Sequence, residues 1–237
     1  MTIIRLLSTH PLPLPLRRLA SSSASSYRAF TPESAKQFVF KGKLRTTPQN
    51  VLFFQKHDIE PDNSRLRIYQ AGPELKKVSK DYGITFFHSP KHVLSPFALV
   101  YFDPRGHPLA ASVKAKLAKK VRDEPLWVQC TSVSSPTSAI VHTLAKRRIT
   151  AAIHRALVER GYNQAPGKGL GKTVWGTLYM KISDPLKASA QPPARLGTVV
   201  AEAIDNNWPC RVGGGRPRVM ANAPKNKKMT RDRPILK

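Results

Sequence analysis

Apolar positions along this chain switch between two spacings. Ile140, Val141, Leu144, Ile149, Ile153, Ala156 and Leu157 recur at intervals of mostly three to five residues, the spacing of one helical face. Ser135 is placed to accept hydrogen bonds from first-turn amides, and Pro136 suits a position whose N–H has no partner. Gly161 can take the left-handed conformation that closes a helix. The pattern therefore predicts one long amphipathic helix from Ser135–Pro136 to Gly161. Leu75, Val78 and Tyr82 predict a second helix over 73–82, ending at Gly83. Leu109, Val113, Leu117 and Val121 predict a third over 107–123, stopped before Pro125. Leu196, Val199, Val200 and Ile204 predict a fourth over about 194–206.

Between these lie runs of four to six residues rich in Val, Ile and Phe, the signature of short strands: 37–40, 51–55, 84–88, 97–102 and 126–130. The stretch 173–182 also reads as a strand. The stretch 63–70 is double-faced. Arg65 to Tyr69 alternates like a strand, while Asp62 or Asn63 could cap a helix; it is read as strand. Residues 183–193 read as a linker. Together these elements predict a mixed α/β (α+β) body over 31–206, a small mixed sheet packed with amphipathic helices. A subdivision near 125–136 is open, and no internal repeat is present.

Charge changes this picture. The 237 residues hold 40 Lys and Arg against 14 Asp and Glu, a formal charge of +26. Solubility needs a net charge of only about 2–8 for a small domain. A larger excess repels itself in the compact state and is best neutralised by a polyanion. Nucleic acid is the leading partner and an anionic membrane surface the second. No run approaches the ~18 apolar residues of a membrane-spanning helix. The two cysteines, Cys130 and Cys210, are far apart and form no CxxC pair, so neither a cysteine zinc site nor a disulfide framework is expected.

The termini differ from the body. Residues 1–30 contain four arginines, no acid, and clusters of leucine and serine, the composition of a mitochondrial transit peptide. Arg28-Ala-Phe followed by Thr31 resembles a matrix-protease cleavage pattern. Plastid targeting sequences share this composition. Without residues 1–30 the chain still carries 36 basic against 14 acidic residues, so targeting does not account for the excess. Residues 207–237 form a basic extension containing Gly213–Gly215 and four prolines, a composition expected to be disordered when free.

Few stretches carry chemistry. Gly167 to Thr173 (GKGLGKT) invites a phosphate-loop reading, but the motif needs glycine five residues before the Gly of GK[ST], and Pro166 stands there. The predicted order, helix then loop then strand, is also the reverse of a nucleotide loop. Exposed amides with Lys168 and Lys172 fit phosphate approach better. His88 and His92 stand four apart, but Pro90 disfavours a shared helix, and they read as surface or phosphate-contacting residues. His154 reads as a packed helix histidine. Asp58, Glu60, Asp62, Asp123 and Glu124 fit turns and helix ends, and Ser132, Ser134 and Ser135 lie in no GxSxG pattern. No paired catalytic groups emerge, so an enzyme is not expected and no cofactor or metal is assigned.

Polyanion binding draws on many phosphate contacts. The residues expected to supply them are Lys114, Lys116, Lys119 and Lys120 on one helix and Lys146, Arg147, Arg148 and Arg155 on another. Lys168 and Lys172 in the loop join them, as do Arg211, Arg216, Arg218, Lys225, Lys227, Lys228, Arg231 and Arg233 in the extension. Tyr162, Trp175 and Tyr179 could stack on bases, although Trp175 and Tyr179 fit strand core positions better. The composition resembles ribosomal proteins in general character, without a family motif. The expectation is an RNA-binding constituent of the mitochondrial ribosome, in the matrix, contacting rRNA and neighbouring ribosomal proteins. An RNA-processing or ribosome-assembly factor and a DNA-binding nucleoid protein are the alternatives.

Overall fold

The computed structural model describes residues 31–40, 43–133, 136–163 and 171–208. The expected presequence, Lys168, Ser135, Cys210 and every basic residue assigned to the C-terminal extension lie outside them. In chain order the elements are α1 (Glu33–Lys36), β1 (Val39–Phe40), β2 (Lys43–Leu44), α2 (Pro48–Lys56), β3 (Ile59–Glu60), β4 (Arg67–Ile68), α3 (Gly72–Tyr82), β5 (Ile84–Ser89) and β6 (His92–Val93). Then follow α4 (Ala110–Asp123), β7 (Leu126–Ser132), α5 (Ala139–Glu159), β8 (Gly176–Ile182), α6 (Pro185–Ala190) and α7 (Pro193–Asn207). Short 3₁₀ segments cover Asn63–Arg65 and Pro96–Phe102. The mixed α/β class predicted from the sequence is the one observed.

The main sheet has the order β4-β5-β8-β7. β5 pairs antiparallel with β4 and β8, whereas β7 and β8 run parallel. A parallel neighbour needs a crossover, and α5 supplies it. Strands from both sides of residues 125–136 thus enter one sheet, and β7 itself occupies that stretch. Ile84, Phe86, Leu178, Met180 and Ile182 join one core cluster with Val78 of α3, Ile149 and Ile153 of α5, and Leu196 and Val200 of α7. Trp127 joins a second cluster with Phe54, Leu99, Phe102 and Val121.

The layer of helices is tight where α5 and α7 cross. A Cβ on Gly197 would stand 2.5 Å from the Ala152 carbonyl oxygen, so only a bare Cα permits this approach. At the end of α5, Gly161 has φ +82°, the left-handed closure expected there.

Several boundaries differ from the sequence reading, each for a local reason. Residues 51–55 lie in α2, not a strand. Thr47 accepts from the Asn50 amide and Pro48 opens the helix, and burial falls on Asn50 and Phe54, four apart. Residues 97–102 form 3₁₀ turns, with Pro96, Leu99 and Phe102 buried, the three-residue period of that helix. Of 63–70, only Arg67–Ile68 is strand, because Asp62 caps a 3₁₀ turn at Ser64. The linker 183–193 contains α6, capped by Asp184 at the Lys187 amide. α5 starts later than expected, with Ser138 as its cap. Its apolar stripe is core only from Ala145 onward; Ile140 is 78% and Leu144 48% exposed.

Candidate nucleic-acid interface

β7 is an edge strand, and the two basic helices come to it from different sides. α5 packs on it within the helical layer. α4 reaches it through Val121, which shares a cluster with Trp127, and through Lys120, whose Nζ lies 4.9 Å from the Trp127 ring centroid. Burial pushes the Cys130 thiol of β7 up to about 12, with Lys146 of α5 acting in the opposite direction. Lysines from both helices therefore converge on one strand.

Lys116 and Lys119 of α4 and Arg147, Arg148 and Arg155 of α5 are exposed, while Lys114, Lys120 and Lys146 are half-buried. Among the described residues, Lys114, Lys116, Lys119, Lys146, Arg147, Arg148 and Arg155 have no carboxylate within ion-pair distance. Arg148 instead donates to the Ser189 carbonyl. Lys120 stands 3.5 Å from Glu124, an exposed pair of the kind worth roughly 0–1 kcal/mol. Among the described residues, the expected cations of α4 and α5 are thus unpaired with a carboxylate or, for Lys120, weakly paired.

The foot of the glycine loop is built from Gly161–Asn163 and Lys172. The Asn163 amide donates to the Lys172 carbonyl at 2.9 Å, and the Lys172 amide donates to the Gly161 carbonyl at 3.0 Å. Lys172 is less available than its position suggests, because its Nζ lies 3.2 Å from Asp205 of α7. Arg160 meets the same carboxylate at 3.1 Å, and the Tyr162 hydroxyl donates to it. These contacts, the tyrosine first, hold the Asp205 carboxyl below its ordinary range. Nothing in the sequence announces Asp205, which sits 33 residues from Lys172.

The aromatic candidates separate. Tyr179 is 1% exposed and packs edge-on against Phe87, so it cannot meet a base. Trp175 is partly buried against His92, and its carbonyl accepts from the Trp208 indole. Tyr162 is half-buried against the first core cluster, with its hydroxyl donating to Asp205.

His88 and His92 are not surface residues. His92 is fully buried, its ring stacked 4.5 Å from Trp127 and tilted by 51° against Trp175 at 4.6 Å. His88 packs against Tyr69 and Trp208. The phosphate-contacting reading of this pair fails because β5 and β6 turn both rings inward. His142, unmarked by the sequence, shares hydrogen bonds with Ser132 (2.6 Å, at Nδ1) and Thr137 (2.8 Å, at Nε2). In a catalytic triad a carboxylate holds the base's other nitrogen. Here that nitrogen meets a hydroxyl, so the cluster ties the end of β7 to the first turn of α5.

His154 does line a cavity of about 300 Å³, with Glu124, Leu126, Leu157, Tyr162 and Asn163 among its walls. Burial lowers the His154 pKa, Glu124 raises it and Lys120 lowers it. Among the described residues, no three His, Cys, Asp or Glu side chains are grouped to hold a metal ion. No described helix is long and apolar enough to cross a membrane. No protein-family model, curated protein or solved structure matches this chain.

Proposed function

We propose that this is a structural RNA-binding protein of the mitochondrial matrix, a constituent of the mitochondrial ribosome. The observation that carries the reading is the set of cations without acid partners on α4 and α5, on either side of β7. An isolated protein gains nothing from such a surface, since like charges repel. A phosphate backbone converts it into affinity by releasing counterions. The body docks through these helices, and the basic extension adds phosphate contacts. The mechanism is positional and requires no covalent step.

Sedimentation of a gentle mitochondrial lysate, with and without RNase, tests this directly. Stoichiometric migration with one ribosomal subunit, lost after RNase, is the expected result. Migration with precursor particles alone would make it an assembly or processing factor. Retention with DNA after RNase would make it a nucleoid protein. A small RNase-insensitive species at the top of the gradient would sink the nucleic-acid reading.

A further inference from the structure

The cavity lined by His154 lies where the end of α4, the start of β7 and the second half of α5 meet. At about 300 Å³ it matches the smaller end of pockets that hold organic ligands, and such pockets pair apolar walls with a few placed polar groups. Leu126 and Leu157 supply the walls and Tyr162 an aromatic face. That ring is fixed at both ends: the hydroxyl donates to Asp205 and the backbone amide to the Leu157 carbonyl. A preset aromatic surface is what an unstacked base requires, and it costs little ordering on binding.

The rim is cationic. Lys172 Nζ lies 5.7 Å from the Tyr162 ring centroid, and Lys120 stands beside Glu124. Both ammonium groups are shared with carboxylates, Lys172 with Asp205 and Lys120 with Glu124, so phosphates on either side of an inserted base would compete with those pairs. The polar groups select among bases. A carboxylate only accepts hydrogen bonds. Guanine alone presents two adjacent N–H donors on its Watson–Crick edge, at N1 and the exocyclic amine, which one carboxylate can accept together. The imidazole of His154 offers a donor or acceptor to the rest of the ring.

We infer that this cavity receives one unstacked guanine of a bound RNA, with Glu124 reading its N–H edge and Tyr162 forming the stacking wall. The inference rests on the RNA-binding reading proposed above, and the experiment separates the two.

The full chain is titrated against 5′-labelled single-stranded oligouridines that carry one central guanosine, one central adenosine or one abasic site, with anisotropy as the readout and salt varied. Guanosine monophosphate alone is titrated in parallel. The guanosine oligomer is expected to bind about tenfold more tightly than the abasic one, the size of one stacked base. Tyr162→Leu should shrink that gap to about twofold or less on the same scale, with the salt slope unchanged. Glu124→Gln should remove the preference for guanosine over adenosine, and its exposed site keeps the test valid if Tyr162→Leu fails to fold. Equal binding of guanosine and abasic oligomers, with normal salt dependence, would overturn the cavity assignment and leave RNA binding intact. A preference for adenosine would overturn it as well. No salt-dependent affinity for any oligomer would remove the RNA reading itself. Tight binding of the free monophosphate in that case would replace an RNA-borne base with a soluble nucleotide.

Discussion

His88 shows how a single residue couples packing to pH. Burial lowers its pKa; a hydrogen bond with the Arg67 backbone raises it, and the Arg67 charge lowers it. The ring also faces Tyr69 and Trp208. A base whose folded pKa lies below its unfolded value binds fewer protons when folded. Stability is then complete above the unfolded value, near 6.5, and is lost as pH falls below it. His57 and His154 are lowered as well, burial again leading, so the three act together. Thermal melting is expected to move to lower temperature between pH 7 and pH 5, and His88→Phe should flatten that slope. A profile unchanged in the variant would remove His88 from the account. None of this was legible beforehand, because the spacing of His88 and His92 is silent about which way a ring turns. Only the pairing of His88 with Arg67, and of His92 with Ile59, turns both inward.

Among the elements, the crossing of α5 and α7 depends on Gly197. In an isolated helix, replacing glycine by alanine stabilises by about 1 kcal/mol. Here the added Cβ would lie 2.5 Å from a backbone oxygen, which cannot swing away. Gly197→Ala is expected to destabilise instead, by about 2 kcal/mol, or roughly 4–8 °C in melting temperature. A rise in melting temperature would show that the helices part at no cost. Helices were the most legible elements. α3, α4 and α7 fall within a few residues of the spans that their apolar spacing predicts. Short segments were less legible, because Val and Phe in runs of five fit a strand and a helix equally. At 51–55 the deciding signal, Thr47-Pro48, lay outside the run. In α5 periodicity alone could not tell core from surface. Ile140 and Ile153 occupy the same predicted stripe, yet one is exposed and the other has no exposure, because the sheet and α7 cover only the later turns. The α4 and α5 cations were legible as sequence, but the cavity and the Asp205 contacts join residues too distant in sequence for any spacing to reveal.

At the scale of the whole molecule the net charge is the dominant long-range force. With +26 on 237 residues, self-repulsion opposes compaction, and salt relieves it as the Debye length shrinks. Raising ionic strength from about 0.01 M to about 0.3 M should therefore increase the melting temperature of the free protein while weakening its hold on RNA. Most monomeric proteins dominated by favourable surface pairs show the opposite trend in stability. A melting temperature that falls with salt would mean that the few ion pairs outweigh the repulsion.

The two larger core clusters carry separate optical reporters. All three tryptophans lie in the described body. Trp208 belongs to the cluster between the sheet and the helical layer. Trp127 belongs to the other, and Trp175 packs against that one. His92 lies between these last two rings. Single-tryptophan variants would thus follow each core by its own light, without a dye. Coincident transitions would mark one cooperative unit, and separated ones two.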